Sequence, residues 1–263
     1  MDILVLVKQV PDTTEVKIDP KTGNMIREGV PSILNPFDQF ALEEAVMIKN
    51  KLGGTITVIT LGPDQAKTAL MRCLALGADV SIHLSDYAFA GADTLATSFS
   101  LASAIKKVGK YDLIFTGQMA QDGETGQVGP EIAAMLDLPQ ATYVEEIKDI
   151  TPEKIVVKSD TDEGYRIMEL KLPALIAFLP PTSFEYSNPS MSGIIKAKSK
   201  PYSLWKQADL NVPREKCGLK GSPTRVSKIY SPTQKTKGVI FTDNIEDACK
   251  KVAEAIKEKK VVQ

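Results

Sequence analysis

The stretch "YDLIFTGQMAQDGETGQVGPEIAAMLDLPQ", Tyr111–Gln140, decides the fold. Its opening run Asp112–Thr116 is apolar and β-branched, as a buried strand requires, and Val128–Leu136 carries apolar residues at helical spacing. Between them lie Gly117, Gly123, Gly126, Asp122, Glu124 and several hydrogen-bonding side chains, with neither histidine nor cysteine. Such a linker can be a phosphate-holding loop, an acid/base site, or a turn that binds nothing. Gly123 and Gly126 permit backbone conformations that a Cβ would penalise and let a ligand come close. Thr125 is placed to cap the following helix, leaving free amides near Gln127 and Val128. A helix amino terminus offers N–H groups and partial positive charge, a good seat for phosphate.

The strand-then-helix pattern repeats on the amino-terminal side. "ILVLV" (Ile3–Val7), "TITVIT" (Thr55–Thr60) and "VSIHL" (Val80–Leu84) read as strands, and Asp38–Leu52, Asp64–Gly77 and Thr94–Val108 as helices. Within Asp64–Gly77, Ala66, Ala69, Leu70, Cys73 and Leu74 fall on one face, which makes Cys73 a core residue. The alternation predicts an α/β fold, a mostly parallel sheet flanked by helices. Sheets of this kind bind ligands beyond the carboxyl ends of their strands. "KQVPD" (Lys8–Asp12), "LGPDQ" (Leu61–Gln65) and "GQMAQDGETGQ" (Gly117–Gln127) are therefore expected to converge on one crevice. No GxGxxG and no GxxxxGK[ST] is present, so neither the usual dinucleotide fingerprint nor a P-loop applies. In "LNPFDQFALEEA" (Leu34–Ala45), Asn35–Pro36 sets a turn and Asp38 is a plausible helix cap.

A chain of 263 residues can bury a substantial core. With 32 basic and 33 acidic residues it lacks the overall positive field of a nucleic-acid binder. Cys73, Cys217 and Cys249 are too widely spaced for a disulfide framework, a zinc site or a cluster, and the latter two are expected at surface or arm positions without a role. The single histidine, His83, is expected half-exposed on its strand, and no Ser-His-Asp arrangement can be built from it. The first apolar run is too short for a membrane span and follows an acid, so a cytoplasmic protein with no membrane partner is expected.

Past Gln140 the pattern changes. "KIVVKSD" (Lys154–Asp160), "GYRIMELKLP" (Gly164–Pro173) and "ALIAFLP" (Ala174–Pro180) read as antiparallel strands that extend the sheet. A proline-rich segment, residues 180–201, ends in the basic knot Lys196, Lys198 and Lys200. An extended Pro/Lys/Ser-rich arm is expected to about Gly238, then an amphipathic helix over Ile245–Lys259. The expected division is an α/β nucleotide-binding domain over 1–200, with its core in 1–140 and a sheet extension and recognition loop in 141–200. The arm and helix of 201–263 follow.

Six segments in order, "VKQVPDT" (7–13), "NPFDQFALEEA" (35–45), "GADTLATS" (91–98), "DGETGQVGPEIAAMLDLPQAT" (122–142), "LKLPAL" (170–175) and "IIKAK" (194–198), together resemble the β (small) subunit of electron-transferring flavoproteins, over essentially the whole chain. The resemblance implies a heterodimer with a larger α subunit that carries FAD, the arm of this chain wrapping that partner. It implies a nucleotide in the α/β core: AMP in one branch, a second FAD in the electron-bifurcating branch of anaerobes. The implied nucleotide contacts are Leu6, Val7, Lys8, Gln9, Val10 and Pro11; Asn35, Pro36, Phe37 and Asp38; Leu61 and Gly62; and Gln118, Met119, Ala120, Gln121, Asp122, Gly123, Glu124, Thr125, Gly126, Gln127 and Val128. Met191 matches the family's partner-docking anchor, where some members have leucine, with Lys196 and Lys198 beside it.

"DGETGQVGP" (122–130) and "GSPTRVSKIYSP" (221–232) look like the bifurcating branch, their small residues leaving room for a flavin. That branch takes hydride from NADH and passes one electron to ferredoxin or flavodoxin and one through the α-subunit FAD to an acyl-CoA-dehydrogenase-type flavoenzyme. No side chain here is expected to act as a general acid or base, and Asp122 and Glu124 are assigned to hydrogen bonding around the nucleotide. The alternatives are a non-bifurcating carrier with structural AMP and a free-standing nucleotide-sensing protein.

Overall fold

The computed structural model describes residues 1–12, 17–18, 25–26, 31–227, 240–242 and 244–258, with backbone only at 17–18 and 25–26. The chain divides into two units, Met1–Lys228 and Ile229–Gln263. Residues 228–239 of the expected arm lie outside the described residues.

In the first unit β1 (Asp2–Leu6) is followed by the short strands β2 (Gln9–Pro11), β3 (Lys17–Ile18), β4 (Met25–Ile26) and β5 (Ser32–Leu34). Next come α1 (Pro36–Leu52), β6 (Thr55–Leu61), α2 (Lys67–Leu76), β7 (Val80–Leu84), α3 (Thr94–Val108), β8 (Leu113–Gly117) and α4 (Val128–Leu136). Then follow β9 (Gln140–Ile150), β10 (Lys154–Thr161), β11 (Gly164–Lys171), β12 (Ala174–Phe178), α5 (Met191–Ala197), β13 (Tyr202–Trp205) and two single turns, α6 (Gln207–Leu210) and α7 (Gly218–Gly221).

Nine strands form one sheet in the order β11-β10-β9-β12-β8-β1-β6-β7-β13. Every pair from β9 to β13 is parallel, and only β10 runs antiparallel to its neighbours β9 and β11. The mostly parallel α/β sheet expected from the strand–helix alternation is therefore present. Its core is double, as a sheet covered on both faces demands. Phe40, Leu42, Leu70 and Cys73 of α1 and α2 pack on one face with Val5, Val58 and Phe115. Leu101, Ile105 and Ile132 of α3 and α4 pack on the other with Leu4, Ile59 and Ile114.

Several expectations are corrected. "ALIAF" is not an antiparallel strand: β12 runs parallel between β8 and β9, and all five of its side chains are buried, the mark of a strand with helices on both faces. β9, with its alternating polar residues, is an additional long strand of the extension. The arm does not leave the domain after residue 200, because β13 joins the sheet edge beside β7 and Leu210 and Cys217 enter the α3 side of the core. Cys217 is thus buried rather than peripheral, its Sγ 3.6 Å from Pro213 O, and burial raises its thiol pKa. Cys249 is exposed. His83 is buried, not half-exposed: with β13 alongside, its Nδ1 lies 2.9 Å from the Tyr202 hydroxyl and its Nε2 3.1 Å from Gly62 O.

Helix α1 starts at Pro36 with Asn35 at the cap, so Asp38 sits inside the first turn. Proline at the first position presets the helical φ and gives up an amide that would have no partner there. Helix α4 is capped by Gln127 without a side-chain bond, because Gly126 at φ 62° keeps Thr125 out of the helix start.

In the second unit α8 (Ile245–Glu258) is amphipathic, with Ile245, Val252 and Ile256 exposed. Its amino end is capped by Asn244, whose Oδ1 accepts from Asp247 N at 3.0 Å. Among the described residues no helix is long and apolar enough to cross a membrane.

Candidate functional site

β1 and β8 lie side by side and in parallel, so the chain leaves both at the same edge of the sheet. One carboxylate bridges the two exits. Asp38 Oδ2 accepts from the Lys8 amide at 2.7 Å, and Oδ1 accepts from the Gly117 amide at 3.1 Å. Burial pushes the Asp38 pKa up to about 7, opposed by the hydrogen bonds from Lys8, Asn35 and Gly117. Gly117 must be glycine, because a Cβ there would overlap Asp38 Oδ1 and the Phe37 Cβ.

Asn35 does the same one step further out. Its Nδ2 donates to Met119 O at 2.9 Å and its Oδ1 accepts from Gln121 N at 3.1 Å, while its own amide donates to Lys8 O at 2.9 Å. Gln118 is buried too, its amide donating to Phe178 O at 2.8 Å and its Oε1 accepting from Tyr143 N at 2.7 Å. The root of the loop is therefore held on three sides.

Beyond the root the loop turns outward. Ala120 O accepts from the amides of Gly123 and Glu124, and left-handed residues follow at Glu124 (φ 50°) and Gly126 (φ 62°). The amides of Thr125, Gly126, Gln127 and Val128 then find no acceptor among the described residues. They make up the exposed amino-terminal approach to α4, where the helix dipole adds partial positive charge. Lys8 Nζ reaches across to Asp122 Oδ1 at 2.7 Å, placing an ammonium at the same mouth. Thr116 Oγ1, at the end of β8, is buried with no hydrogen-bond partner, and a Cβ added at Gly129 in the first turn of α4 would come within 3.0 Å of it.

Residues outside the expected set complete the rim. Thr94 Oγ1 donates to Gln127 Oε1 and Glu131 Oε1, both at 3.1 Å, and Ser98 Oγ donates to Glu131 Oε2 at 2.7 Å, so the starts of α3 and α4 are laced together. Asp93 caps α3 through Ala96 N at 3.0 Å, and its other oxygen accepts from Thr224 N and Oγ1 at 3.0 and 2.8 Å. Asp93 before the Thr94–Val108 helical pattern was a readable cap; nothing local marks Thr224 as its partner.

The expected residues thus fall into groups. Lys8, Asn35, Asp38 and Gln118–Val128 meet at one place. Leu61 and Gly62 end the neighbouring strand β6, where the Gly62 amide donates to Leu84 O at 3.1 Å. Leu6, Val7 and Val10 are buried beneath the edge, and Gln9–Pro11 pairs with β5 as a short antiparallel ribbon.

The second expected site lies on α5. Met191, Ile195, Lys196 and Lys198 are exposed there. Just before the helix, Ser187 is gripped: its amide and hydroxyl donate to Glu43 at 3.0 and 2.7 Å, and its carbonyl accepts from Gln39 Nε2 at 2.8 Å. Gly193 packs against the α2 backbone, and a Cβ there would overlap Ala75 O. A separate apolar groove of about 670 Å³ lies between α1, α2, β5 and this segment, with Met71, Ala75 and Ile194 in its lining. Gln9 and Pro36, expected among the nucleotide contacts, line this groove.

Residues 22–210 match the electron transfer flavoprotein domain model. The electron transfer flavoprotein subunit beta of Thermoanaerobacterium thermosaccharolyticum is 47% identical over 263 residues, 100% of both chains. The caffeyl-CoA reductase-Etf complex subunit CarD of Acetobacterium woodii is 47% identical over 267 residues, again 100% of both. Protein FixA of Azotobacter vinelandii is 42% identical over 261 residues, 97% of this chain and 92% of its own. With a family model over more than half its length and end-to-end relatives at this identity, the chain belongs to the electron transfer flavoprotein family and aligns with its beta subunits.

Proposed function

We propose that this chain is the beta subunit of an electron-bifurcating electron transfer flavoprotein and carries FAD at the strand-end crevice. The observation that carries the nucleotide part of this reading is the row of unpartnered amides at Thr125–Val128, beside the Lys8 ammonium and over the braced loop root. The choice of FAD and bifurcation rests on the resemblance at residues 122–130 and 221–232. The residues present fit a nucleotide phosphate: four N–H donors, a helix dipole, one half-exposed cation, and a glycine at 126 that allows close approach. Bound FAD would supply hydride acceptance from NADH and the division of the electron pair between ferredoxin and the α-subunit FAD.

The chain's own part is to bind, orient and exclude. Thr125–Val128 and Lys8 hold phosphate, Asp122 and Glu124 offer acceptors to ribose or nearby amides, and the Asp93–Thr224 contact closes one side. His83 is turned into the β7–β13 edge, between the Tyr202 hydroxyl and Gly62 O. With an α subunit, electrons leave toward an acyl-CoA-dehydrogenase-type enzyme that docks on Met191, with Lys196 and Lys198 steering the encounter. The name of the relative CarD, a subunit of a caffeyl-CoA reductase-Etf complex, favours a CoA-thioester flavoenzyme as that acceptor. The proposed place of action is the cytoplasm.

The test is the flavin and AMP content of the purified αβ complex, with NADH-driven ferredoxin reduction assayed alongside. Two FAD per heterodimer with coupled reduction supports the reading. One FAD plus one AMP replaces it with a simple carrier in which this subunit holds a structural nucleotide.

A further inference from the structure

We propose that Asn35 and Asp38 are positioning residues that aim the Thr125–Val128 amides, not groups that touch the nucleotide. This deepens the reading of the crevice as a nucleotide site and rests on it. Asn35 is 1% and Asp38 6% exposed, so neither side chain is open to a ligand. All four of their side-chain polar atoms are engaged by the chain itself: Lys8 N and Gly117 N on Asp38, Met119 O and Gln121 N on Asn35.

Those partners are alternate residues, 117, 119 and 121, along the root of the loop, plus the Lys8 backbone that bears the cation. The two side chains sit within one turn of each other at the start of α1. They therefore hold the Lys8 strand exit and the loop root in one fixed relation, which is what a row of amides needs to meet a phosphate without reorganising. Asparagine at 35 is specific, since it must donate and accept at once. Aspartate at 38 is specific, since in its ionised form it accepts twice, and the test is run above about pH 7.5 where that form prevails.

The test uses the αβ complex, stripped of nucleotide and titrated by calorimetry with AMP and, separately, with FAD. Hydrogen exchange of the loop amides and thermal stability are followed in parallel. In Asp38→Asn one of two acceptors becomes a donor facing an N–H, and in Asn35→Asp the donor facing Met119 O becomes an acceptor. Both variants are expected to lose affinity by about tenfold or more, by the same factor for AMP and FAD because the two share the phosphate over α4. Exchange over Gln118–Val128 is expected to quicken while that of β7 and β13 does not change.

Either variant alone suffices should the other fail to fold. Wild-type affinity for both ligands with unchanged loop exchange would overturn the positioning role. So would variants that slow or speed exchange uniformly across the sheet, the signature of a general loss of stability. A wild-type complex that binds neither AMP nor FAD overturns the nucleotide reading itself, a result distinguishable from either of these.

Discussion

The loop Gln118–Gln127 and the segment Ser187–Lys198 are both tied to the amino-terminal turns of α1, yet they present opposite surfaces. In the first, buried Asn35, Asp38 and Gln118 hold the backbone from beneath and leave amides facing outward. In the second, Glu43 and Gln39 satisfy the backbone of Ser187, and what faces outward is apolar: Met191 is 75% and Ile195 66% exposed. A surface of free amides suits a small anion, and a surface of apolar side chains with lysines nearby suits a protein. One helix end thus serves two loops of different chemistry, Asp38 facing the root of the first loop and its neighbour Gln39 facing Ser187 of the second.

Removing the shared support should make the two loops fail together. Phe115, Phe178, Phe40, Phe184 and Tyr186 form a chain of edge-to-face rings, at centroid separations of 4.8, 5.7, 4.6 and 5.0 Å, from β8 through β12 and α1 to the base of the docking segment. Phe178→Ala should cost about 3–5 kcal/mol in chemical denaturation and weaken both nucleotide retention and partner docking. A variant that loses only one of them would show that the loops are held separately.

The opposite result is expected from Met191→Glu. An exposed methionine adds little to folding, so stability should move by less than about 0.5 kcal/mol. A charge at a buried anchor should cost binding about 2 kcal/mol, read as a raised KM for the partner flavoenzyme with nucleotide content unchanged. Electron delivery at the wild-type KM would remove α5 as the docking surface.

Much of the fold is legible in the sequence, and the part that is not has a physical cause. The α3 and α4 patterns landed at Thr94–Val108 and Val128–Leu136 because apolar periodicity reports burial directly. The direction of β12 was not legible: "ALIAF" is apolar throughout, and only its neighbours determine whether such a strand runs parallel or antiparallel. The meeting of Lys8, Asn35, Asp38 and the loop Gln118–Val128 at one place was legible because strand ends of a parallel sheet share an edge. The inward roles of Asn35 and Asp38 stayed hidden, since a polar residue at a helix start looks the same whether it caps, binds or braces. Cys217 and His83 were misplaced because the pairing of β13 with β7, which encloses His83, depends on residues more than a hundred positions apart.

Acidity offers a finer separation of the two regions. Burial raises Glu44 to a pKa of about 7, with Glu146 and Glu43 adding repulsion, and raises Asp38 to about the same value despite Lys8 nearby. In both cases the folded pKa lies above the unfolded one, so the folded state holds protons that the unfolded chain releases. The associated stability is fully present below about pH 4 and is lost as pH rises through about 7. Melting temperature should therefore decline between pH 5 and 8, and Glu44→Gln should flatten that decline without touching the cradle. If the slope persists in Glu44→Gln and disappears in Asp38→Asn, the titration belongs to the cradle instead.

A small effect on stability is also expected at Lys8, where binding is the more telling readout. Its ion pair with Asp122 is short at 2.7 Å, but the two side chains are 47% and 31% exposed. An exposed pair of this kind contributes roughly 0–1 kcal/mol and is weakened further by salt. Lys8→Gln should therefore leave the melting temperature of the nucleotide-free complex nearly unchanged. If the ammonium turns from Asp122 to an arriving phosphate, the same substitution should weaken AMP and FAD binding several-fold. Wild-type binding should fall with added salt more steeply than that of the variant. Equal salt slopes would mean that Lys8 braces the loop through Asp122 and never meets the ligand, and the four amides would then carry the anion alone.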